Sequence, residues 1–261
     1  MRLVILADSS SALPAIALLH RLHHTDHEIA LVVEVDPAPR RSWTGWLREL
    51  FAPRILSSHF GADHPLATEL RVEEVEEESI TDAAEAAHAP HMSVSALTGD
   101  QVMLELGTQR ADAIIALLGV EAPPELASLA GEGLLQVCVG RAPQRVRADA
   151  LRWSLLAGER PTASVLHLPA WDDLGDGARI ISSRPVQRDH ADYRSFESLV
   201  EYESVEAVLS ALERLENPSD HPSTDDLAAQ RPPGRTLHRM ATPLVEVVDA
   251  WLGEHRTPKH S

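Results

Sequence analysis

Two polar residues inside an apolar segment are the first side chains in this sequence with a potential for chemistry. Residues 134–139 read LLQVCV, a composition typical of a buried strand, in which side chains alternate between two faces. Gln136 and Cys138 therefore point to the same face. A buried amide needs a hydrogen-bond partner, so Gln136 is expected to contact either a ligand or the protein itself. Cys138 is predicted either to pack as a small hydrophobic residue or to act as a nucleophilic thiol.

A serine run and an acidic turn are the next candidates. Ser9, Ser10 and Ser11 follow the first predicted strand, at the point where a helix begins. Hydroxyl groups at such a position cap the helix, and helix N-termini also bind anions, so the run is predicted to do one or both. Residues 172–176 read DDLGD, a composition typical of a turn and a source of carboxylates.

Four histidines mark the end of the first predicted helix. His20, His23, His24 and His27 have spacings of three and four, which place them near one face. Two interpretations remain open, a solvated cluster or a metal bridging two of the rings. Because only Asp26 and Glu28 lie nearby to support ligands, we expect no bound metal.

Charge and cysteine content limit the partners. The formal net charge is −17, which repels nucleic acid and anionic membrane surfaces. Cys138 is the one cysteine, so no disulfide forms within the chain, and we expect a cytoplasmic protein. No apolar run approaches the roughly 18–20 residues that span a bilayer.

The order of the predicted elements indicates the fold class. A strand at residues 2–7, a helix to about residue 23 and a strand at 29–35 form a β-α-β unit, which favours parallel pairing. Further strands and helices alternate after an irregular excursion at 36–79. The prediction is an α/β fold with a doubly wound, mostly parallel sheet and a cleft at the carboxyl ends of its strands.

The domain organisation follows from a change in composition. Residues 1–190 are predicted to form the α/β domain. Residues 191–261 are predicted to add a helix, a Pro-rich loop and a short helix, packed on the domain or trailing from it. The oligomeric state is not indicated by any pattern.

One window resembles a known family. Residues 109–181, together with the opening strand and serine turn, resemble the folate-dependent formyltransferases, which include the glycinamide ribonucleotide and methionyl-tRNA formyltransferases. The resemblance covers about residues 1–185, and the matching positions are Ala111, Asp112, Gly119, Pro124, Pro143, Trp153, Gly158, Thr162, His167, Asp173, Gly175 and Asp176.

The resemblance implies a reaction and three catalytic positions. In this family a formyl group moves from 10-formyltetrahydrofolate to an amine, with an Asn and a His stabilising the oxyanion and an Asp relaying protons. Carried over residue by residue, the Asn falls on Gln136, the His on Cys138 and the Asp on Asp173, so the Asp alone is kept. The Arg-Gly pair of the family falls on Val146 and Arg147.

The resemblance also implies binding positions. Ser9, Ser10, Ser11 and His167 are expected beside the substrate, and His167 is also the base that a nucleophilic Cys138 would need; the alternative for His167 is a core histidine with a structural partner. The positions expected to contact 10-formyltetrahydrofolate are Gly119, Val120, Asp172 and Gly175.

The replaced positions predict weak catalysis. Removing one oxyanion donor costs about 10²–10³ in rate, and removing an acid–base group costs about 10²–10⁴. Two functions remain open: formyl transfer to a small amine with little activity, or a non-catalytic protein that binds a ligand or a protein partner. Residues 191–261 are too short and too acidic for a tRNA-binding domain, so tRNA is not expected as substrate.

Overall fold

The structure is a computed structural model, and it describes residues 1–9, 12–36, 79–118, 122–140, 161–170, 178–186 and 193–217. Within these ranges the chain forms strands, helices and one 3-10 helix. The strands are β1 (Arg2–Asp8), β2 (Glu28–Val35), β3 (His91–Val94), β4 (Ala113–Leu117), β5 (Gly133–Gly140), β6 (Thr162–Leu168) and β7 (Arg179–Pro185). The helices are α1 (Leu13–Leu22), α2 (Ile80–Ala86), α3 (Asp100–Thr108), the 3-10 helix (Pro124–Leu129) and α4 (Tyr193–Glu216).

The strands form a seven-stranded sheet in the order β3-β2-β1-β4-β5-β6-β7. Pairing is parallel from β3 to β5 and antiparallel from β5 to β7. The predicted α/β fold with a mostly parallel sheet is confirmed. The chain winds outward from β1 in one direction through β2 and in the other through β4, which creates a crevice at the carboxyl ends of these strands.

Both faces of the sheet are covered, which explains the uninterrupted apolar strands. Leu3, Ile5 and Ala7 of β1 pack with α1, α2 and α4, whereas Val4 and Leu6 pack with α3 and the 3-10 helix. A strand that is buried on both faces carries no alternating polar residues. The sheet is therefore doubly wound, as predicted.

Helix α4 is part of the core. Val205, Val208 and Leu212 are almost fully buried against the sheet, and each such side chain stabilises the fold by about 1.5–3 kcal/mol. Arg184 of β7 donates to Glu203 of α4 at 2.6 Å. The helix that begins the predicted 191–261 region thus packs on the sheet. The rest of that region, and the division itself, stays a prediction.

The start of α1 differs from the expected cap. Ala12 occupies the N-cap position, and no side chain caps the helix there. Ser9 instead donates its hydroxyl hydrogen to Oδ1 of Asp36, with 3.2 Å between the oxygens. The prediction that Ser9 caps α1 is therefore wrong, because a contact with the end of β2 takes its hydroxyl; Ser10 and Ser11 lie outside the described residues. Pro14 occupies the first turn of α1, where proline is well tolerated.

Helix α2 begins with a capping box. The Ser79 hydroxyl accepts from the Asp82 backbone N–H, and the Asp82 carboxylate accepts from the Ser79 backbone N–H. The hydrogen bonds from Ser79 lower the pKa of the Asp82 carboxyl. This start places α2 against the sheet, with Ile80, Ala83 and Ala84 buried.

Strand β5 begins at a position that only glycine suits. Gly133 has φ of +94°, and a Cβ added to it would overlap the Leu168 carbonyl oxygen and the Pro169 backbone. Leu168 ends the antiparallel neighbour β6 and pairs with Leu134. Both the backbone angle and the close approach therefore exclude a side chain.

We expect Gly133→Ala to lower the free energy of unfolding by about 2–4 kcal/mol, because it adds left-handed strain and backbone overlap. Urea denaturation measures the change. Gly131→Ala is the matched control, since its added Cβ has its nearest contact at 3.8 Å, to the Asp112 carbonyl oxygen. A control as destabilising as Gly133→Ala would contradict this account of β5.

Candidate functional site

The carboxyl edge of β1 and β2 carries polar side chains. Asp8 is the last residue of β1 and is 8% exposed. The next residue, Ser9, holds Asp36 at the end of β2 through the bond already described. In open α/β sheets ligands bind outside the carboxyl ends of the strands, at the point where the winding reverses. Asp8 therefore lies at the edge where a ligand is expected.

Gln136 on β5 has a partner in the protein. It lies opposite Ala116 of β4 and is 2% exposed. Its Oε1 accepts a hydrogen bond from the Ala122 backbone N–H at 3.0 Å. Ala122 ends the connection that leads from β4 to the 3-10 helix, so Gln136 fixes the far end of that connection. Gln136 was expected to contact either a ligand or the protein itself, and in the structure it makes a hydrogen bond within the protein.

Cys138 lies on the same face as Gln136, as the alternation predicts. It is 5% exposed and lies opposite Ser164 of β6. Its thiol donates weakly to the backbone carbonyl oxygen of Gln136 at 3.8 Å. A thiol buried in this way packs as a small hydrophobic residue, since thiolate chemistry needs an accessible sulfur.

His167 lies away from Cys138. It is opposite Leu135 in the antiparallel β5–β6 pair, and its strand neighbour Val165 packs in the core beneath α4. Directly opposed residues share a face, so His167 and Cys138 are on different faces. Cys138 is also three residues beyond Leu135 along β5, a distance of about 10 Å.

The contacts of His167 fit its structural alternative. It is 4% exposed, and its Nε2 is 2.6 Å from the Glu132 carbonyl oxygen, at the amino end of β5. The structure therefore gives no support to His167 as the base for Cys138 or as a substrate contact. The reason is the reversed direction of β6, which carries its last residues to the amino edge.

Seven of the predicted site positions lie outside the described residues: Ser10, Ser11, Gly119, Val120, Asp172, Asp173 and Gly175. Their predicted roles stay predictions. This includes the expectation that Asp173 faces the same cleft as Gln136 and Cys138.

Asp8 and Ala122 were missed as site residues by sequence reasoning. A carboxylate that ends a strand at the reversal of winding is a recognisable signal, and Asp8 has it. Ala122 carries no such signal. Its role depends on its backbone N–H and on a partner 14 positions away.

The histidines near the end of α1 have different partners in the structure. His27 approaches Glu216 of α4, with Nδ1 and Oε1 3.5 Å apart. His23 lies edge-on to His24 and to His88, and all three are exposed. Among the described residues, no group of three or more His, Cys, Asp or Glu side chains is arranged to hold a metal ion.

None of the helices in the described ranges is long and apolar enough to cross a membrane.

Comparison with known proteins identifies the fold. No protein-family model matches the sequence, and no curated protein matches it. Solved structures do match. The phosphoribosylglycinamide formyltransferase from Bacillus halodurans is similar over 83% of this chain and 96% of its own, with a TM-score of 0.52 and 12% identity. The fold is formyltransferase-like.

Two further structures agree with this assignment. The phosphoribosylglycinamide formyltransferase from Anaplasma phagocytophilum matches over 84% of this chain and 88% of its own, with a TM-score of 0.52 and 14% identity. A formyltetrahydrofolate deformylase from Pseudomonas putida KT2440 matches over 83% of this chain and 65% of its own, with a TM-score of 0.52 and 13% identity. At these identities the likeness establishes the formyltransferase-like fold alone.

The bond between Gln136 and Ala122 is open to a direct test. Gln136→Met keeps the length of the side chain but removes the acceptor, so the buried Ala122 N–H loses its partner. We expect the free energy of unfolding to fall by about 1–3 kcal/mol.

Urea denaturation again provides the measurement. Gln109→Met is the control, because Gln109 bonds Glu105 in an exposed pair at 2.9 Å, and such a surface change stays within about 0.5 kcal/mol. Equal stability of Gln136→Met and the wild type would mean that the bond to Ala122 does not hold the connection.

Proposed function

We propose that this chain binds 10-formyltetrahydrofolate at the carboxyl edge of its sheet and that it transfers the formyl group to a small amine slowly. The formyltransferase-like fold and the sequence resemblance support the ligand class, since two similar structures are phosphoribosylglycinamide formyltransferases and one is a formyltetrahydrofolate deformylase. The single observation that carries the slow chemistry is that the side chain of Gln136, at the position of the family Asn, is fixed by the bond from Ala122 to its Oε1, which sets where its amide donor lies.

The described residues beside the predicted folate contacts are compatible with such a ligand. Gly119 and Val120 belong to the connection between Leu118 and Ala122, and both ends of that connection are buried. Gln136 anchors one end through its bond to Ala122. Fixing the end of a connection in advance lowers the entropic cost of ordering it around a ligand.

The residues on β5 provide little for the transfer itself. The folate would supply the formyl group, and the developing negative charge on its oxygen needs preorganised donors. The bond from Ala122 to Oε1 of Gln136 fixes the side-chain amide, so its NH2 donor lies one methylene further along the side chain than an Asn donor would. The Cys138 thiol is a weak donor and is 5% exposed. Asp173 is the residue that the proposal assigns to proton transfer, on the basis of the resemblance.

The charge distribution supports an amine as the acceptor of the formyl group. Asp8 brings a buried carboxylate to the carboxyl edge of β1, and a carboxylate there favours a cationic ammonium group over a phosphate. The net charge of −17 acts in the same direction and disfavours nucleic acid as a partner. The proposed partner is therefore a small amine, with a protein partner for the alternative below.

A second candidate function is a non-catalytic protein that binds a ligand or a protein through this edge. The burial of Cys138 and the structural use of Gln136 favour it. The two candidates differ in one respect that is easy to measure. A slow enzyme releases tetrahydrofolate from 10-formyltetrahydrofolate when an amine is present, and a pure binding protein does not.

Ligand binding is the first test. At 100-fold excess of 10-formyltetrahydrofolate over its Kd, native-state binding adds about 2.7 kcal/mol of stability, which raises Tm by roughly 5–10 °C for a chain of this size. Differential scanning fluorimetry measures the shift, with free p-aminobenzoylglutamate as a control ligand that lacks the pterin. No shift at saturating folate would refute the proposed ligand class.

The β5 positions provide the second test. We expect wild-type formyl release with an amine to be slow but measurably above the uncatalysed rate, and Gln136→Asn with Cys138→His to raise it by 10-fold or more, toward the about 10²–10³ that one oxyanion donor provides. The assay follows tetrahydrofolate release with and without small amines.

The structure adds a cost to this double change. An Asn side chain is one methylene shorter, about 1.5 Å, and leaves the Ala122 N–H without its acceptor. Cys138→His alone, which keeps the Gln136 bond, is the matched variant, and folding of each variant is checked by circular dichroism. Rapid wild-type turnover would sink the slow-enzyme proposal, whereas a folded, folate-binding but inert double mutant would favour the binding function.

A further inference from the structure

Helix α2 ends in a backbone conformation that favours glycine. The Ala89 N–H donates to the Ala84 carbonyl oxygen at 2.9 Å, and the His88 N–H donates to the Glu85 carbonyl oxygen at 3.0 Å. These are the two bonds of a Schellman motif, with His88 at the left-handed position and φ of 55°. A residue with a Cβ costs stability at this position relative to glycine. The fold therefore carries an imidazole where glycine would be more stable.

The imidazole of His88 lies against the end of α1. Its ring centroid is 6.1 Å from that of His23, and the ring planes are at 65°. His23 is the C-cap residue of α1, and its own neighbour His24 is 5.2 Å away, also edge-on. All three side chains are exposed, so they change rotamer at little cost.

We propose that His23 and His88 form a binding site for a divalent first-row transition-metal ion such as Zn²⁺, with water completing the coordination. The site joins the C-terminal ends of α1 and α2. Helices that lead from one parallel strand to the next end at the amino edge of the sheet. Asp8 lies at the opposite, carboxyl edge, so the site is independent of the proposed folate function.

The spacing of the two rings suits a shared ion. A Zn–N bond of about 2.1 Å places an imidazole centroid about 3.2 Å from the metal, so two rings on one tetrahedral ion have centroids about 5.2 Å apart. The observed separation is 6.1 Å. Rotation of two exposed side chains covers the difference. The proposed site has two protein ligands, and the described residues hold no group of three or more.

The choice of His88 over His24 as the second ligand rests on the backbone. The His24 ring is 5.2 Å from that of His23 but follows it directly in the chain, whereas His88 reaches His23 from another helix, so an ion held by His23 and His88 joins two elements. His88 also occupies its left-handed position at a cost, and a metal contact offsets that cost. The chain charge of −17 attracts divalent cations to its surface.

Zinc binding by chosen variants tests the proposal. Isothermal titration calorimetry and thermal shift with Zn²⁺ at pH 7.5 are expected to show one site that raises Tm by about 5 °C at 100-fold excess over Kd. His88→Asn keeps a residue that tolerates the left-handed conformation and removes the imidazole, so we expect at least a 10-fold weaker affinity at this site.

Three controls make each outcome decisive. His24→Asn and His91→Asn should bind zinc like the wild type, since neither residue is a ligand in the proposal. His88→Gly should raise Tm without zinc and lose the zinc response, which separates the metal role from folding. Unchanged zinc affinity in His88→Asn, or loss in His24→Asn with retention in His88→Asn, would overturn the assignment. So would the absence of any zinc response in the wild type.

Discussion

Strand β1 is buried on both faces and hydrogen-bonded on both edges, and the arrangement of the other elements depends on it. It pairs with β2 over its full length and with β4 from Leu3 to Ala7. Each face of β1 then requires an apolar layer, because unpaired apolar surface on a central strand would remain in water. Helices α1 and α2 cover one face and α3 covers the other. The reversal of winding at β1 is also what leaves Asp8 at a crevice.

The same constraint explains which parts of the fold the sequence predicts. Burial on two faces produces continuous apolar runs such as residues 113–117, and those runs are visible without a structure. Strand direction is not visible in this way. The periodicity of β6 is the same whether it runs parallel or antiparallel, and its reversal moves His167 to the amino edge. The alignment of His167 with a family His thus gave no information on its neighbours in space.

The candidate site shows the same division at the level of single residues. Alternation along β5 correctly placed Gln136 and Cys138 on one face. It could not select between a ligand and Ala122 as the partner of Gln136, because that contact joins positions 14 residues apart. The local pattern predicted that Ser9 caps α1. Its hydroxyl instead bonds the carboxylate of Asp36, which is distant in sequence. Contacts between distant positions are set by packing of whole elements, which short patterns do not encode.

The bond between Gln136 and Ala122 has a consequence for how this site could change. A residue that holds a neighbouring connection is constrained by stability, whatever part it takes in chemistry. Shortening Gln136 to Asn would supply the side chain that the resemblance associates with catalysis, but it would leave a buried N–H without an acceptor at a cost of about 1–3 kcal/mol. That cost is a large fraction of the net stability of a domain. Introducing the Asn and His pair would therefore lower stability unless the connection that contains Gly119 and Val120 also changed to satisfy the Ala122 N–H.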